Sequence, residues 1–274
     1  MLKFMKPLKN QPKVRKLLKK NIRMRHEMKV SIITVSYNSA ATINSTIRSI
    51  LSQTYKNIEY IVIDGASTDG TFEIIQNYSD KVTKIVSESD KGIYDGLNKG
   101  VSLATGDVIA FLHSDDVYAN ETVISNIVNC FDNGAQGVYG DLVYTDKADV
   151  NKVFRYWKSC DFSPSLLSKG WMPPHPTLFL RREVYQKYGT FDTSFKIASD
   201  YDFMLRILKD NIVVKYLPQV ICKMRAGGES NRSIKNMFNK SKEDLRAMRK
   251  NKINKPFLVL FYKNITKVMQ LVRR

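Results

Sequence analysis

Val30-Ser-Ile-Ile-Thr-Val-Ser-Tyr-Asn38 decides the fold. Val30 to Val35 is a β-branched run that stops at Ser36-Tyr37-Asn38, and a helical stripe of Ile43, Ile47, Ile50 and Leu51 follows, with Asn38 or Ser39 able to cap it. The unit repeats outward from there. Ile58–Ile63 ends at Asp64-Gly65, and Ser67-Thr-Asp-Gly-Thr71 turns into a helix with Phe72, Ile75 and Tyr78 inward. Val82–Val86 precedes a helix bearing Ile93, Leu97 and Val101, and Val108–Leu112 ends at His113-Ser-Asp-Asp116 before Ile124, Ile127, Val128 and Phe131. Continuous apolar strands alternating with helices predict an α/β domain: a mostly parallel, Rossmann-like sheet with helices on both faces. Ligands of such sheets bind beyond the carboxyl ends of the strands, and Tyr37-Asn38, Asp64 and Asp115-Asp116 stand there. Further on come a strand at Gly137–Tyr144, a loop around Trp171-Met-Pro-Pro-His-Pro176 and a helix from about Ser199. The boundary near residue 136 is soft, and both halves are expected to share one sheet.

The chain has 274 residues, 43% hydrophobic and 26% charged, enough for one large α/β domain or two small ones. The longest apolar run is the six residues Phe257–Tyr262, against about 18 for a membrane span. Cys130, Cys160 and Cys222 are too scattered for a disulfide framework or a structural zinc site. The N-terminus is basic without an apolar core and does not read as a secretory signal.

The net charge of +18 is unevenly spread. Residues 1–29 hold eleven Lys/Arg and one acid, and residues 223–274 hold fifteen and three, while 30–222 hold 18 basic and 22 acidic residues. A mildly acidic body without a basic, aromatic-lined groove argues against nucleic-acid binding. Two basic ends predict contact with an anionic surface. After Pro256, suited to a first helical turn, Phe257, Phe261, Ile265, Val268 and Val272 recur at helical spacing, with Lys263, Asn264 and Lys267 on other faces. Such a basic amphipathic helix can lie in a bilayer interface, or pack on its own body or on a second subunit. Val14, Leu17, Leu18 and Ile22 form a weaker second candidate.

Asp115-Asp116 follows a buried strand, so two carboxylates without a basic neighbour reach the sheet edge together; a divalent cation shared with phosphate oxygens relieves their repulsion, and a turn or helix-capping pair is the alternative. Asp64 at the same edge can accept hydrogen bonds from a base or ribose, or serve the turn. No G-x-G-x-x-G or Walker motif follows the first strand, and Gly96 and Gly100 lie within a helical stripe, which argues against a dinucleotide enzyme or a P-loop NTPase. Ser199-Asp-Tyr-Asp202 opens a helix in which Arg206 can pair with Asp202 at i,i+4. Asp200 is left free as a general base or as a complement to the helix dipole.

In order along residues 30–230, Val30–Asn38, Ile63–Thr71, Ser89-Asp-Lys-Gly-Ile-Tyr-Asp-Gly-Leu-Asn98, His113–Asp116, Pro174-His175-Pro, Phe191-Asp192, Ser199–Asp202 and Arg225-Ala-Gly-Gly228 resemble the family 2 nucleotide-sugar glycosyltransferases. The resemblance implies a GT-A fold and inverting chemistry. It places Val35 and Tyr37 along the nucleotide, Asp64 on the uracil edge, Asp115 at the ribose and Asp116 on a divalent metal, Mn²⁺ or Mg²⁺. Asp200 matches the acid of the family's Glu-Asp dipeptide and would be the catalytic base; Ser199 stands where the family usually has Glu. Lys91 would neutralise the diphosphate, His175 would line the acceptor side, and Gly227-Gly228 would allow a closing loop.

These expectations combine into an inverting transferase that uses a nucleotide-sugar donor, a UDP-sugar by resemblance. Its acceptor would be a lipid-linked glycan in cell-surface polysaccharide synthesis, met at the cytoplasmic face of the membrane. Residues 1–29 and 229–274 read as basic extensions of a domain at 30–228, divided into a nucleotide half (30–136) and an acceptor half (137–228). The alternatives are a basic protein associated with nucleic acid, a degenerate transferase fold, and a nucleotidyltransferase, whose Gly-rich basic first loop is missing after Val35.

Overall fold

The computed structural model describes residues 27–131, 134–227 and 234–272. The expectations for residues 1–26, Gly228 and Arg273-Arg274 lie outside them.

The first half alternates as the sequence predicts: β1 (Val30–Ser36), α1 (Ile43–Leu51), β2 (Ile58–Asp64), α2 (Thr71–Gln76), β3 (Lys84–Ser87), α3 (Ile93–Leu103) and β4 (Val108–Phe111). Then come β5 (Val117–Tyr118), α4 (Val123–Cys130), β6 (Gly137–Thr145) and β7 (Val153–Trp157). Two 3₁₀ turns, Pro164–Lys169 and His175–Thr177, lead to β8 (Phe179–Arg181), α5 (Arg182–Tyr188), α6 (Ser199–Lys209) and β9 (Val214–Arg225), and the chain closes with α7 (Ile234–Lys250) and α8 (Pro256–Val272). The described strands make one sheet in the order β3-β2-β1-β4-β8-β6-β9-β5, with β7 beside β6, so both halves share it.

The strands β3-β2-β1-β4 are parallel, and Ser36 pairs with Asp64, so β1 and β2 end in step. Beyond β4 the sheet is mixed: β8 runs antiparallel to β4 and β6, β7 to β6, and β5 to β9, while β9 is parallel to β6. Only a short link separates β6 from β7, and such a link closes an antiparallel pair, whereas a parallel one needs a crossover.

β1 is buried on both faces. Ile33 and Val35 join Ile61, Ile63, Ile109 and Phe111 beneath Leu97 of α3, and Val30 and Ile32 join Tyr60, Val62, Val108 and Ala110 beneath Ile43 and Ile47 of α1 and Ile124 and Ile127 of α4. Gly96 and Gly100 let α3 lie close on β1, because a Cβ at either would fall 2.7 Å from Val35 or 2.4 Å from Ile33.

α7 packs against α6, and α8 against α7, the Pro164–Lys169 turn and β7. Here the sequence reading needs correction. Lys263, read as one of the polar residues of a basic amphipathic helix, is 4% exposed; its Nζ lies 2.8 Å from Asp244 and 3.2 Å from the centre of the Tyr201 ring. Burial lowers its pKa and Asp244 opposes that fall. Gly170, at φ +69°, permits this packing, since a Cβ there would stand 2.7 Å from the Lys263 Cβ. The stripe Phe257, Phe261 and Ile265 faces away from the body at 64%, 59% and 40% exposure. The side chains of Val268 and Val272 lie outside the described ones.

Candidate active site at the carboxyl ends of the strands

β1, β2 and β4 deliver their ends to one edge of the sheet. Val35, the penultimate residue of β1, is buried against Gly96, and Tyr37 just beyond stands 64% exposed. A Cβ on Gly65 would lie 3.4 Å from the Tyr37 ring and 2.9 Å from Asp90 Oδ2, so Val35, Tyr37, Gly65, Asp90 and Gly96 converge. Lys91 is exposed on the same loop, its backbone N–H bonded to Asp95 Oδ2 at 3.1 Å.

Asp64 is fully buried and accepts four bonds: from the Ser36 hydroxyl at 3.2 Å, the Ser67 N–H at 3.0 Å, the Ser67 hydroxyl at 2.5 Å and the Ser87 hydroxyl at 2.8 Å. Its carboxylate thus ties the ends of β1, β2 and β3 together. Asp69 and Asn38 are likewise engaged in the turn: Asp69 accepts from Ala40 N–H, Thr71 N–H and the Thr71 hydroxyl, and Asn38 from Thr68 N–H.

The turn after β4 carries His113-Ser114-Asp115-Asp116. Thr46 of α1 donates to the Ser114 and Asp116 carbonyls, and Ser39 bonds Ser114, so α1 buttresses this turn. Asp115 is half-buried. Asp116 is fully buried; its Oδ1 accepts the Arg225 N–H at 3.2 Å, and its Oδ2 has no hydrogen-bond partner. Burial, then repulsion from Asp115, pushes the Asp116 carboxyl well above the usual carboxylate range, against the pull of Arg225.

A buried carboxyl oxygen without a partner at a strand end, next to a second carboxylate, fits a divalent cation, whose charge would hold the group ionised. Among the described residues no group of three or more His, Cys, Asp or Glu could hold a metal. A hard cation that takes one or two carboxylates and completes its shell with phosphate and water needs no such group.

Asp200 opens α6 across from this turn. The Tyr94 hydroxyl lies 3.1 Å from Asp200 Oδ1 and 2.7 Å from the Ile197 carbonyl, with one proton to share. Burial would raise the Asp200 pKa, but His175, Lys240, Lys263 and the Tyr201 N–H more than offset it, and the carboxyl sits below its ordinary 3.8. Asp202 is engaged as the i,i+4 spacing predicts: Arg206 at 3.0 Å, joined by Lys250 at 2.9 Å and Asn251 at 2.8 Å.

His175 joins the acids. Its ring stacks on Phe111 at 5.5 Å, meets Phe191 edge-on at 5.8 Å and lies 5.7 Å from His113. Burial drives its pKa down to about 4 and lowers that of His113, so both rings are neutral at neutral pH; both feel the charge of Asp200, and His113 also that of Asp115. Asp115, His113, His175 and Asp200 therefore share one electrostatic neighbourhood.

Two residues carry no assigned role in the sequence reading yet belong to this site. Tyr94 shows only as part of the Ser89–Asn98 motif. Arg225, 8% exposed at the end of β9, donates to Asp115 O at 2.5 Å and to Ser45 Oγ at 3.1 Å. Its signal in the sequence is its place in Arg225-Ala-Gly-Gly228, one of the motifs that carry the family resemblance, without a role of its own.

The sequence model described as glycosyl transferase family 2 matches residues 31–202. The chain is 28% identical over 213 residues to a PGL/p-HBAD biosynthesis glycosyltransferase of Mycobacterium bovis, covering 76% of this chain and 81% of that protein. It is 34% identical over 190 residues to an uncharacterized glycosyltransferase of Rickettsia typhi, covering 66% and 58%. Among solved structures, S. aureus TarS 1-349 in complex with UDP-GlcNAc superposes with a TM-score of 0.64 at 18% identity, over 82% of this chain and 65% of that one. The mannosyltransferase PcManGT from Pyrobaculum calidifontis, in complex with GDP-Man and Mn²⁺, superposes with 0.63 at 19% identity, over 87% and 70%. With well over half its length matched by the family model and its sheet superposing on these GT-A glycosyltransferases, this chain belongs to glycosyl transferase family 2.

Proposed function

We propose that this glycosyltransferase moves a sugar from a nucleoside-diphosphate donor, a UDP-sugar, to a hydroxyl of a lipid-linked glycan, in cell-surface polysaccharide synthesis. The observation that carries this reading is an orphaned carboxyl oxygen on Asp116 at the end of β4, with the ionised carboxylate of Asp200, bonded by the Tyr94 hydroxyl, acting on the same His113 as the neighbouring Asp115. The UDP, UDP-GlcNAc and GDP-Man complexes of the structural neighbours support a nucleotide-sugar donor. Val35 and Tyr37 flank the base, Asp64 reads its edge while bracing the strand ends, Asp115 meets the ribose and Lys91 faces the diphosphate. A divalent cation held by Asp116 would supply charge neutralisation at the diphosphate.

Asp200 accepts the proton of the acceptor hydroxyl as that oxygen attacks the anomeric carbon. The new carbon–oxygen bond forms opposite the breaking bond to the diphosphate, which leaves with its electron pair. One displacement inverts the centre, so an α-linked donor gives a β-linked product. His175, neutral and apolar-packed beside Asp200, lines the acceptor side.

The test is thermal-shift stabilisation and donor hydrolysis across UDP-, GDP- and dTDP-sugars, with and without Mn²⁺. One sugar nucleotide is expected to stand out in a metal-dependent way. No response from folded protein would favour a degenerate transferase fold.

The C-terminus supports a membrane-anchored acceptor. Residues 245–274 hold nine Lys/Arg and no acid, and the outward Phe257, Phe261 and Ile265 suit the interface of an anionic leaflet; both support the reading of a peripheral enzyme on the inner face of the membrane. The described residues contain no helix long and apolar enough to cross a membrane. The double variant Phe257→Ser/Phe261→Ser should weaken co-sedimentation with anionic vesicles at least about tenfold, since burying even part of two phenyl rings exceeds the roughly 1.4 kcal/mol of a tenfold change. Unchanged sedimentation, or sedimentation indifferent to salt, removes the membrane from the reading.

A further inference from the structure

Asp200 sits in the first turn of α6, and the chain leading into it, Thr190 to Ala198, has no helix or strand of its own. This approach is held from outside, by one face of α7. Glu243 Oε1 accepts the Lys196 N–H at 3.0 Å, and its Oε2 accepts the Ile197 and Ala198 N–H groups at 2.8 and 3.0 Å. One turn on, Arg246 donates to the Ser194 carbonyl at 3.2 Å and its hydroxyl at 2.7 Å, and its guanidinium covers the Phe195 ring at 4.3 Å. A further turn on, Lys250 bridges Asp192 at 2.8 Å and Asp202 at 2.9 Å.

Glu243, Arg246 and Lys250 are spaced i, i+3 and i+7, the spacing of a single helix face. Together they fix the loop at both ends and in the middle. The same loop supplies the Ile197 carbonyl that competes with Asp200 for the Tyr94 proton. Displacing residues 196–198 would therefore move the carboxylate and change its hydrogen bonding at once. All three α7 residues lie beyond residues 31–202, the stretch the family model covers.

We propose that Glu243 is a positioning residue for the catalytic base, and that α7 is part of the active-site framework. A carboxylate gathering three successive N–H groups is a charge-assisted, geometrically exacting contact. It needs both oxygens, one for Lys196 and one for the Ile197–Ala198 pair. An amide in its place turns an N–H toward an N–H. Misplacing a reacting group by about 1 Å costs roughly 10²-fold in rate. The donor contacts at Val35, Tyr37, Asp64 and Asp116 belong to other elements and stay in place.

The proposal rests on Asp200 being the base, so Asp200→Asn is measured beside it in the full-length chain. Glu243→Gln should lower kcat about 10- to 100-fold, with donor KM and nucleotide-induced thermal stabilisation within about twofold of the parent. Glu243→Asp, which keeps both oxygens, should recover part of the rate lost in Glu243→Ala. Arg246→Met and Lys250→Met, cutting exposed arms of the same face, should show smaller losses of kcat at unchanged donor KM, and they carry the test if Glu243→Gln does not fold. A parental kcat in Glu243→Gln overturns the proposal, as does a loss of kcat matched by an equal loss of donor binding. If Asp200→Asn stays active, the assignment of the base fails and the positioning role with it; if Asp200→Asn is dead while Glu243→Gln is parental, only the positioning role fails.

Discussion

Asp200→Asn should reduce kcat by roughly 10³-fold or more, at the upper end of what a positioned general base contributes, while donor affinity stays within about twofold. The substitution is nearly isosteric and keeps an oxygen for the Tyr94 hydroxyl at 3.1 Å, so the loop and α6 have no reason to move. What disappears is the acceptor of the proton. The pH dependence follows from the position of the Asp200 pKa, held below 3.8: burial would raise it, and His175, Lys240, Lys263 and the Tyr201 N–H overcome that. A base works when deprotonated, so activity is lost only as pH falls through that depressed value. The acid limb of kcat/KM should therefore lie below about pH 4, wherever the fold survives. Tyr94 stays neutral across that range, because burial raises its pKa, whereas His175, lowered by burial to about 4, takes up its proton there and helps hold Asp200 ionised. Asp202→Asn is the informative contrast. Asp202 is fully buried and holds Arg206, Lys250 and Asn251, so its loss should appear in the melting temperature before it appears in the chemistry. A kcat for Asp200→Asn within tenfold of the parent would remove the residue from the role.

The residues differ sharply in how far local sequence reveals them. β1, β2 and β4 are legible because strands buried on both faces read as unbroken apolar runs, and their polar ends fix the edge where the acids gather. Asp202 was legible too, since Arg206 lies four residues away on the same helix. β8 and β9 were not. β8 has three residues, and β9 mixes lysines with Pro218 and is mostly half-buried, so neither gives a period to follow. The role of Arg225 was hidden with β9. Tyr94 has no role that local sequence reveals, because its hydroxyl meets a carboxylate 106 positions away. The C-terminal segment misled most. Its charge and stripe describe the outer face of α8, but the inner sides of α7 and α8 are set by partners that no spacing discloses: the 196–198 backbone for Glu243 of α7, and Asp244 for Lys263 of α8. Composition reports what a helix shows to solvent; which buried groups it satisfies is decided by the tertiary structure.

Asp116→Asn should move stability and donor binding in opposite directions. In metal-free buffer the wild-type carboxyl is fully buried, has one oxygen without a partner and faces Asp115, so keeping its charge, or taking up a proton to lose it, costs stability. A neutral amide retains the oxygen that accepts from Arg225 N–H at 3.2 Å and removes the charge, so the variant should melt higher in EDTA, by a few degrees for each roughly 1 kcal/mol relieved. In Mn²⁺ the order should reverse. Cation and donor together stabilise the parent by mass action, and the variant, lacking the anionic oxygen, should bind donor at least about tenfold more weakly. Without metal the two proteins should bind donor equally. Asp115, half-buried and less desolvated, should show the smaller rise in melting temperature on the same substitution. The crossing of the two melting series is the specific expectation, since a residue that merely closes a turn would lose stability in both buffers. If Asp116→Asn melts lower than the parent in EDTA, the carboxylate is satisfied by the protein alone. The cation assignment would then fall, leaving the proton transfer at Asp200 unaffected.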